Sequence, residues 1–272
     1  MSIITVSGEM GSLRDALAEE ICKRGALECV DRRTLMDAVQ GLVDISRDEH
    51  QILAEQGPAM LDMANRRRRV FAAFLESVVL QYAKQGGVVL VGRGANFLLK
   101  LVPGVLRVQT VAPLELRAQR IANAEGVDLD RARRLATVVD QQRRGYIAHI
   151  FGADWSAPIN YDLVINMGRL SLEQAAFTVL DLAAHADYQP SAETGLLLAD
   201  MVLAARVRCD LVKSLDIHAL EVDCRQGRVR LGGYVGSQEE MQRASRLASQ
   251  VEGVTAVKSE MEVSPSLVRI LP

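Results

Sequence analysis

Residues 3–21 have the sequence IITVSGEMGSLRDALAEEI, in which an apolar run leads through two glycines into a helical pattern. A strand that ends in a glycine turn before a helix start leaves backbone N–H groups pointing outward, with the positive end of the helix behind them. Such a turn favours a bound phosphate group. We therefore predict a strand–turn–helix unit with an anion site, although a tight turn without a ligand would show the same pattern.

The turn departs at three positions from the phosphate-binding pattern GxxxxGK[ST]. Gly8 fits the first glycine, and Leu13 replaces the second. Arg14 stands where lysine belongs, and Asp15 replaces the hydroxyl residue that would hold Mg²⁺. Arginine keeps the charge of lysine but not its compact shape, while Leu13 adds bulk where a ligand must approach. Asp15 would repel phosphate unless its carboxylate helps to hold Mg²⁺. Both a working nucleotide loop and a degraded one stay open.

The composition is that of a helix-rich globular protein. The chain has 272 residues, of which 49% are hydrophobic, 24% are charged and only 4% are aromatic. Because a domain usually holds roughly 100 to 200 residues, we expect two domains. The formal net charge of -2 gives no general attraction to nucleic acid, so no nucleic-acid partner is predicted.

Signals for export, membrane insertion and metal binding are weak. The four cysteines are widely spaced, and the start of the chain lacks the blocks of a signal peptide, which predicts a cytoplasmic location. No apolar stretch reaches the roughly 18 residues of a membrane span, so we predict no transmembrane segment. The four histidines lie far apart, and we predict no metal site formed by protein ligands alone.

Short apolar runs alternate with helical patterns over the first two thirds of the chain. Strands are predicted at 3–6, 26–33, 88–92, 104–112 and 161–167. Helices are predicted at 13–25, 34–43, 46–56, 58–85, 113–126, 128–152 and 171–186. Strands separated by helices form a parallel sheet covered on both faces, so the predicted fold class is α/β.

A change of composition at ADYQPSAETG, residues 186–195, indicates a linker. Beyond it, helices are predicted at 196–214 and 238–253, and strands at 217–224, 228–235 and 254–263. This order over roughly 70 residues is typical of a small α+β domain. We therefore predict a first domain at 1–187, a linker at 188–195 and a second domain at 196–264.

The strand at 88–92 delivers Arg93 between two glycines at its carboxyl end. Ligands of open α/β sheets collect beyond those ends, and a guanidinium can make two parallel bonds to a phosphate. Arg93 is therefore a candidate phosphate ligand, with a plain glycine turn and a surface arginine as the equal alternative. Asp31 and Arg32 end the preceding strand at the same edge of the sheet. They are candidates for binding an acceptor nucleotide, and a helix cap formed by Asp31 is the equal alternative.

Two consecutive predicted helices carry a series of arginines. They are Arg117, Arg120, Arg131, Arg133, Arg134, Arg143 and Arg144. For Arg131, Arg133 and Arg134, a solvated helix face is the better interpretation. Arg143 and Arg144 are candidates for a segment that closes over phosphates. Phosphoryl transfer needs cations around the travelling group and exclusion of water.

Two further features favour structural roles. Arg66–Arg69 face several directions on a helix and lack interleaved aromatic residues, which indicates solvated surface or an oligomer contact. Trp155 could stack on a base, although a single tryptophan among few aromatic residues is more often a core or hinge packing residue.

Taken together, these segments resemble the cytidylate kinase-like family of P-loop nucleoside monophosphate kinases. The matching segments are SGEMGS at 7–12, VDRR at 30–33, VVLVGRGANFLL at 88–99, VAPLELRAQRI at 111–121, DQQRRGYIAHIFGADW at 140–155 and YDLVINMGRLSLEQA at 161–175. The last third resembles a BON domain, through its initial helix, the paired strands ending VRLGGYVGS and the closing EGVTAVKSEMEV. BON domains are associated with phospholipid or membrane-surface binding.

The first resemblance implies a P-loop nucleoside monophosphate kinase-like fold and transfer of the γ-phosphoryl group of ATP, with Mg²⁺, to an acceptor such as CMP or dCMP. The implied ATP-binding residues are Gly8, Glu9, Met10, Gly11, Ser12, Arg14 and Arg120. The implied acceptor-binding residues are Asp31, Arg32 and Arg93. The implied catalytic residues are Arg14, Arg93, Arg143 and Arg144, with Arg120, Arg143 and Arg144 as lid arginines.

Two other functions stay open at this point. A catalytically inactive nucleotide-binding module, or pseudokinase, would communicate its occupancy to the C-terminal domain. Alternatively, the C-terminal domain is primary and attaches the protein to phospholipid or to a protein partner. The acceptor base is also open, because base recognition comes from a pocket assembled from distant helices.

Overall fold

A computed structural model describes residues 2–42 and 66–264 of the chain. The chain divides into two compact units, the first formed by Met1–Asp62 and Gln85–Ser191 and the second by Met63–Lys84 and Ala192–Pro272. The helix predicted at 46–56 and the first part of the helix predicted at 58–85 lie outside the described residues.

The described elements follow the predicted alternation. The strands are β1 Ile3–Gly8, β2 Glu28–Val30, β3 Val88–Val91, β4 Val105–Val111, β5 Leu163–Asn166, β6 His218–Arg225, β7 Arg228–Val235, β8 Ala256–Ser259 and β9 Glu262–Val263. The helices are α1 Arg14–Gly25, α2 Arg32–Gln40, α3 Arg66–Gln85, α4 Ala95–Leu98, α5 Leu114–Glu125, α6 Leu129–Phe151, α7 Leu172–Ala184, α8 Ala192–Ser214 and α9 Gln238–Gln250. Within residues 2–42 and 66–264, no helix is long and apolar enough to cross a membrane.

The first unit is built on a five-stranded sheet in the order β2, β3, β1, β4, β5. All neighbouring strands run parallel. Every residue of β1 and of β3 is buried, as expected for central strands with helices on both faces. The predicted α/β class is therefore confirmed, and the sheet core consists of aliphatic side chains such as Ile4, Val6, Val89 and Leu106.

Helix starts in this unit follow from their first residues. The side chain of Asp31 accepts a hydrogen bond from the backbone N–H of Thr34 at the start of α2. Ser171 and Gln174 form a reciprocal capping box at the start of α7. Such caps bind N–H groups that have no partner within the helix, so they fix where each helix leaves the sheet.

The order of the strands indicates at which edge of the sheet a ligand would bind. From β1 the chain passes to β2, on the far side of β3, whereas from β3 it passes to β4, on the far side of β1. Open α/β sheets bind ligands at the carboxyl ends of strands where the direction of winding reverses in this way. Val6 pairs with Val91, so the turns after β1 and β3 leave the sheet at the same level.

The second unit contains a four-stranded sheet. β6 and β7 are antiparallel and turn through Gln226 and Gly227, while β8 and β9 both pair parallel with β7. The single last strand predicted at 254–263 is in fact two strands. Gly233 of β7 has φ +123°, a backbone that breaks the ladder between the β8 and β9 pairings.

The predicted linker at 188–195 is partly helical, because α8 begins at Ala192. Pro190 and Ser191 precede its first turn, where a proline does not interrupt the hydrogen bonds of a helix. The division between the two units falls between Ser191 and Ala192, inside the predicted linker.

Helix α3, apart from its last residue, groups with the second unit, whereas the sequence suggested a continuous first domain at 1–187. Arg208 of α8 donates to Glu76 of α3 at 2.7 Å. The Lys213 ammonium lies 4.4 Å from the ring centroid of Phe74. These contacts are long-range in sequence, so periodicity alone did not predict the partner of α3.

The arginines at the start of α3 take part in this packing. The Arg66 guanidinium donates to the carbonyl oxygen of Lys213 at 2.6 Å, and Arg69 forms an ion pair with Asp216. The side chains of Arg66 and Arg67 are otherwise exposed. Arg69 therefore has a structural role within the unit and is not simply solvated surface.

We expect residues 192–272 on their own to lack a cooperative thermal transition, because removal of α3 exposes the face of α8 that binds Glu76 and Phe74. A synthetic peptide of residues 66–85 should restore a transition and raise its Tm with peptide concentration. Circular dichroism melts measure both effects. A matched peptide with Phe74→Ala and Glu76→Ala is the control, and equal rescue by both peptides would contradict this assignment of α3.

Candidate active site

The turn after β1 is held in a strained, open conformation. Gly11 has φ +80°, and Leu13 has φ +62° in the left-handed region, which costs a residue with a Cβ roughly 1–2 kcal/mol. Leu13 thus adopts the backbone for which the phosphate-loop pattern prefers glycine. Its side chain packs against the sheet core and does not line the neighbouring cavity. The bulk of Leu13 is therefore directed away from the hollow of the turn.

Several N–H groups of the turn are available to a ligand. Met10 N–H donates to Asp140, and Ser12 N–H donates to the carbonyl oxygen of Glu9 at 3.1 Å. Among the described residues, the N–H groups of Gly11, Leu13 and Arg14 have no hydrogen-bond partner. N–H groups without a partner at the start of a helix favour an anion, so an anion site at this turn stays a prediction.

Three arginines hold the turn from outside through its carbonyl oxygens. Arg117 donates to Met10 at 3.0 Å, Arg120 to Gly11 at 3.2 Å, and Arg143 to Gly8 at 2.5 Å. These three hydrogen bonds hold the carbonyl oxygens of the turn and so restrict the conformation of its backbone. Arg120, which the sequence assigned to ATP, also donates to Met167 at 2.8 Å and thus supports the loop backbone.

The remaining residues of the predicted loop pack into the sheet edge. The Ser12 hydroxyl is buried between the carbonyl oxygen of Glu9 and the Thr110 hydroxyl, at 2.7 and 2.6 Å. Glu9 accepts from the N–H of Ala112 at 3.1 Å. A Cβ at Gly8 would clash with the Thr110 hydroxyl, which explains why this position requires glycine.

Asp140 of α6 is a buried residue that sequence reasoning did not assign to the site. Its carboxylate accepts from Met10 N–H at 2.9 Å and from Arg117 at 2.8 Å, and lies 3.8 Å from Arg143. The available signal was spacing, because Ala132, Ala136 and Asp140 recur every four residues on the buried face of α6. A carboxylate on that face indicates a paired charge.

The turn after β3 presents Arg93 at the same edge. Gly92, Arg93 and Gly94 all have positive φ, of 71°, 53° and 74°. Arg93 is the strained member, since left-handed backbone is rare for residues with a Cβ. A Cβ at Gly94 would lie 2.8 Å from the Phe151 ring, so glycine is needed there for close packing.

Four predicted site arginines, Arg14, Arg32, Arg93 and Arg143, line one cavity of about 170 Å³. Burial lowers the pKa of Arg93 to about 10, and the positive charges of Arg32 and Arg14 contribute. Burial, followed by the charge of Arg14, also lowers the pKa of Arg143 to about 10, against the opposing effect of Asp140. These groups are still charged at neutral pH, so an anion in the cavity would relieve their mutual repulsion.

A groove of about 610 Å³ shares Arg14, Arg32 and Val91 with the cavity. Arg14 binds the Asp15 carboxylate at 2.7 Å, and Asp15 is exposed at the rim of the groove. Asp31 also lines it. Burial opposes ionisation of Asp31, but hydrogen bonds from Thr34 outweigh this effect and lower its pKa. Asp31 therefore acts as the helix cap that the sequence offered as one alternative.

Arg144 lies outside the cavity. It is exposed and donates to the Ser156 hydroxyl at 2.8 Å. Arg131 and Arg134 are exposed, and Arg133 pairs with Glu115 and Asp130, in agreement with a solvated helix face.

Trp155 is 3% exposed and lines the inner end of the cavity. Its indole N–H donates to the Ser7 hydroxyl at 2.9 Å. It packs with Phe97, Ile147 and Tyr161 in a small aromatic cluster. Trp155 is thus a packing residue, as the sequence favoured, and its position also gives the cavity an aromatic wall.

Comparison with known proteins identifies the family to which the chain belongs. A model of the cytidylate kinase-like family matches residues 3–169, which is more than half of the chain. The chain belongs to the cytidylate kinase-like family. A BON domain model matches residues 199–265.

Relatives of this cytidylate kinase-like protein are similar over most of their own length. A cytidylate kinase of Pyrococcus horikoshii is 28% identical over 199 residues, which cover 71% of this chain and 97% of the relative. A cytidylate kinase of Methanopyrus kandleri is 29% identical over 189 residues, covering 66% and 92%. An uncharacterized protein from Eubacterium ventriosum, of known structure, aligns with a TM-score of 0.54 at 17% identity, over 67% of this chain and 98% of that one, which supports the fold alone.

In the described part of this family member, no group of three or more His, Cys, Asp or Glu side chains could hold a metal ion. Asp15 is the carboxylate at the start of α1, at the position of the motif's hydroxyl residue. Mg²⁺ in nucleotide sites needs only one or two protein ligands, because phosphate oxygens and water supply the rest. Asp15 therefore fits a magnesium ion that arrives with a nucleotide.

We expect Asp140→Ala to lower the free energy of unfolding by about 2–3 kcal/mol, because it removes the charged hydrogen bonds from Arg117 and from Met10 N–H and leaves Glu9 as the remaining carboxylate beside Arg117. Denaturant unfolding measures this loss. Asp130→Ala on the same helix is the matched control, since the Asp130–Arg133 pair is exposed and screened by solvent. Equal effects of the two substitutions would show that Asp140 does not hold the turn.

Proposed function

We propose that the protein transfers the γ-phosphoryl group of ATP to a nucleoside monophosphate. The observation that supports this most is the convergence of Arg14, Arg32, Arg93 and Arg143 on one cavity beside the phosphate-binding turn. Phosphoryl transfer asks for positioning and for positive charge around the travelling group, with little covalent chemistry from the protein. A cavity with four guanidinium groups meets this requirement.

Different groups of the site would bind the phosphates of the donor ATP and the phosphate of the acceptor. The N–H groups of Gly11, Leu13 and Arg14, at the start of α1, would bind the donor phosphates. Arg93 and Arg32 would bind the acceptor phosphate from the other side of the cavity. Arg143 belongs to both, because it holds the Gly8 carbonyl oxygen and also lines the cavity.

Mg²⁺ would arrive with ATP and would neutralise charge on the donor phosphates. The Asp15 carboxylate would bind this ion once Arg14 turns from Asp15 toward the phosphates. Arg14 would then contact the transferred group as the replacement for the loop lysine. CMP or dCMP is the proposed acceptor, on the grounds that the relatives are named cytidylate kinases.

We expect Arg93→Ala and Arg14→Ala each to lower kcat/KM for CMP at least tenfold, about 1.4 kcal/mol of transition-state stabilisation. A coupled assay with ATP, Mg²⁺ and each nucleoside monophosphate measures this. Arg131→Ala is the control, because it removes an exposed arginine of α6. Arg143→Ala should cost more than Arg144→Ala, since only Arg143 lines the cavity. Absence of transfer to every nucleoside monophosphate would contradict the proposal.

Nucleotide binding without transfer is a second candidate, favoured by one observation. Arg14 is bound to Asp15, and both residues depart from the phosphate-loop pattern. A loop degraded in this way would grip phosphates without arranging them for transfer. In that case the C-terminal domain would respond to nucleotide occupancy.

Restoring the motif separates the two candidates. If the wild-type loop is inactive, the double substitution Arg14→Lys with Asp15→Thr should create transfer activity from none. If the wild-type loop is active with Arg14 in place of lysine, the same double variant should lose activity or change it by less than threefold. Initial rates at saturating ATP, with nucleotide-induced Tm shifts as proof of binding, decide between these outcomes.

The role of the BON domain stays a prediction. A phospholipid or protein partner for residues 199–265 follows from the resemblance, and no feature described above favours one of them over the other.

A further inference from the structure

The inner part of the cavity contains a buried amide without a partner. Asn96 of α4 is 3% exposed and lines the cavity three residues after Arg93. Its Nδ2 is enclosed and makes no hydrogen bond among the described residues. Since nearly all buried polar groups in folded proteins have partners, an unpaired amide on a residue that lines a cavity makes Asn96 a candidate ligand contact.

The neighbouring Tyr161 does not provide a hydrogen-bond partner for this amide. The Tyr161 hydroxyl donates to the carbonyl oxygen of Trp155 at 2.7 Å, and among the described residues no hydrogen bond joins Asn96 Nδ2 to the phenol oxygen. Burial raises the pKa of Tyr161 to about 12, and Ser7 and Asn96 oppose this rise. Asn96 thus lies near the phenol, yet its Nδ2 lacks a hydrogen bond of acceptable geometry.

The cavity has two chemically different parts. The arginines provide a phosphate-binding part, while Tyr146, Ile147 and Trp155 add aromatic and apolar walls. The indole N–H of Trp155 is bound to Ser7, so this ring can offer only its surface and edge. A ligand that fits both parts carries an anionic group and a flat ring with a hydrogen-bond acceptor.

We propose that Asn96 binds the polar edge of the acceptor base and thereby determines base selectivity. This inference rests on the proposed function, because it assigns the base of the same acceptor. Nδ2 is a donor, and cytosine offers it two acceptors, the ring atom N3 and the carbonyl oxygen O2. The cavity volume of about 170 Å³ is small beside the 300–1,000 Å³ of drug-sized ligand pockets, which favours a single-ring base.

The test uses Asn96→Leu, which keeps the size of the side chain and removes its hydrogen bonds. We expect kcat/KM for CMP to fall at least tenfold while KM for ATP stays within twofold. Ribose 5-phosphate, which has the phosphate and no base, should inhibit wild type and variant with the same inhibition constant. This competitor separates loss of base recognition from general damage to the cavity.

Thr5→Val is the matched control. Thr5 of β1 also has a buried hydroxyl without a partner, but it does not line the cavity. Both substitutions remove an unpaired polar atom, so both should raise Tm, by roughly 2–4 °C. Only Asn96→Leu should change CMP kinetics.

Calorimetric titration of the protein with CMP and with ribose 5-phosphate tests the same inference and does not require phosphoryl transfer. Loss of CMP affinity in Asn96→Leu, with ribose 5-phosphate unaffected, supports it even if the wild type transfers no phosphoryl group. Wild-type CMP affinity in the variant overturns it, and so does equal weakening of both ligands. Failure of CMP to bind the wild-type protein overturns the inference and the proposed acceptor together.

Discussion

Crowding of positive charge at the carboxyl edge between β1 and β3 is the constraint on which the site depends. Arg14, Arg32, Arg93 and Arg143 line one cavity, and burial and mutual repulsion lower the pKa of Arg93 and Arg143. The Asp140 carboxylate, 3.8 Å from Arg143, offsets part of this charge. An anion bound in the cavity would offset more of it.

The arginines of the site differ in what they contact, and Arg143 both binds the turn and lines the cavity. Arg117 and Arg120 bind carbonyl oxygens of the turn. Arg14 and Arg93 line the cavity, where a phosphate group would meet them. The substitutions in the loop motif are thus set within a supported backbone, with Leu13 packed into the core.

Helix α3 belongs to one family match by its position in the sequence and to the unit of the other match by its contacts. The cytidylate kinase-like match covers residues 3–169 and includes α3, yet α3 groups with the unit that contains the BON match. Among the described residues, the chain therefore belongs to the first unit through α2, to the second unit from Arg66 to Lys84 and to the first unit again from Gln85. Any account of the C-terminal domain has to include α3.

The sequence by itself determined the alternation of strands and helices, the parallel sheet, and the edge at which Gly8, Arg93 and Arg32 meet, because these follow from local periodicity and from the geometry of parallel strands. Only the tertiary structure decided the surroundings of Asp140, Asn96 and Arg144. Each depends on how a helix is rotated against a distant neighbour. A rotation of 100° per residue separates Arg143 in the cavity from Arg144 outside it, and no pattern within one helix fixes that phase for a polar residue.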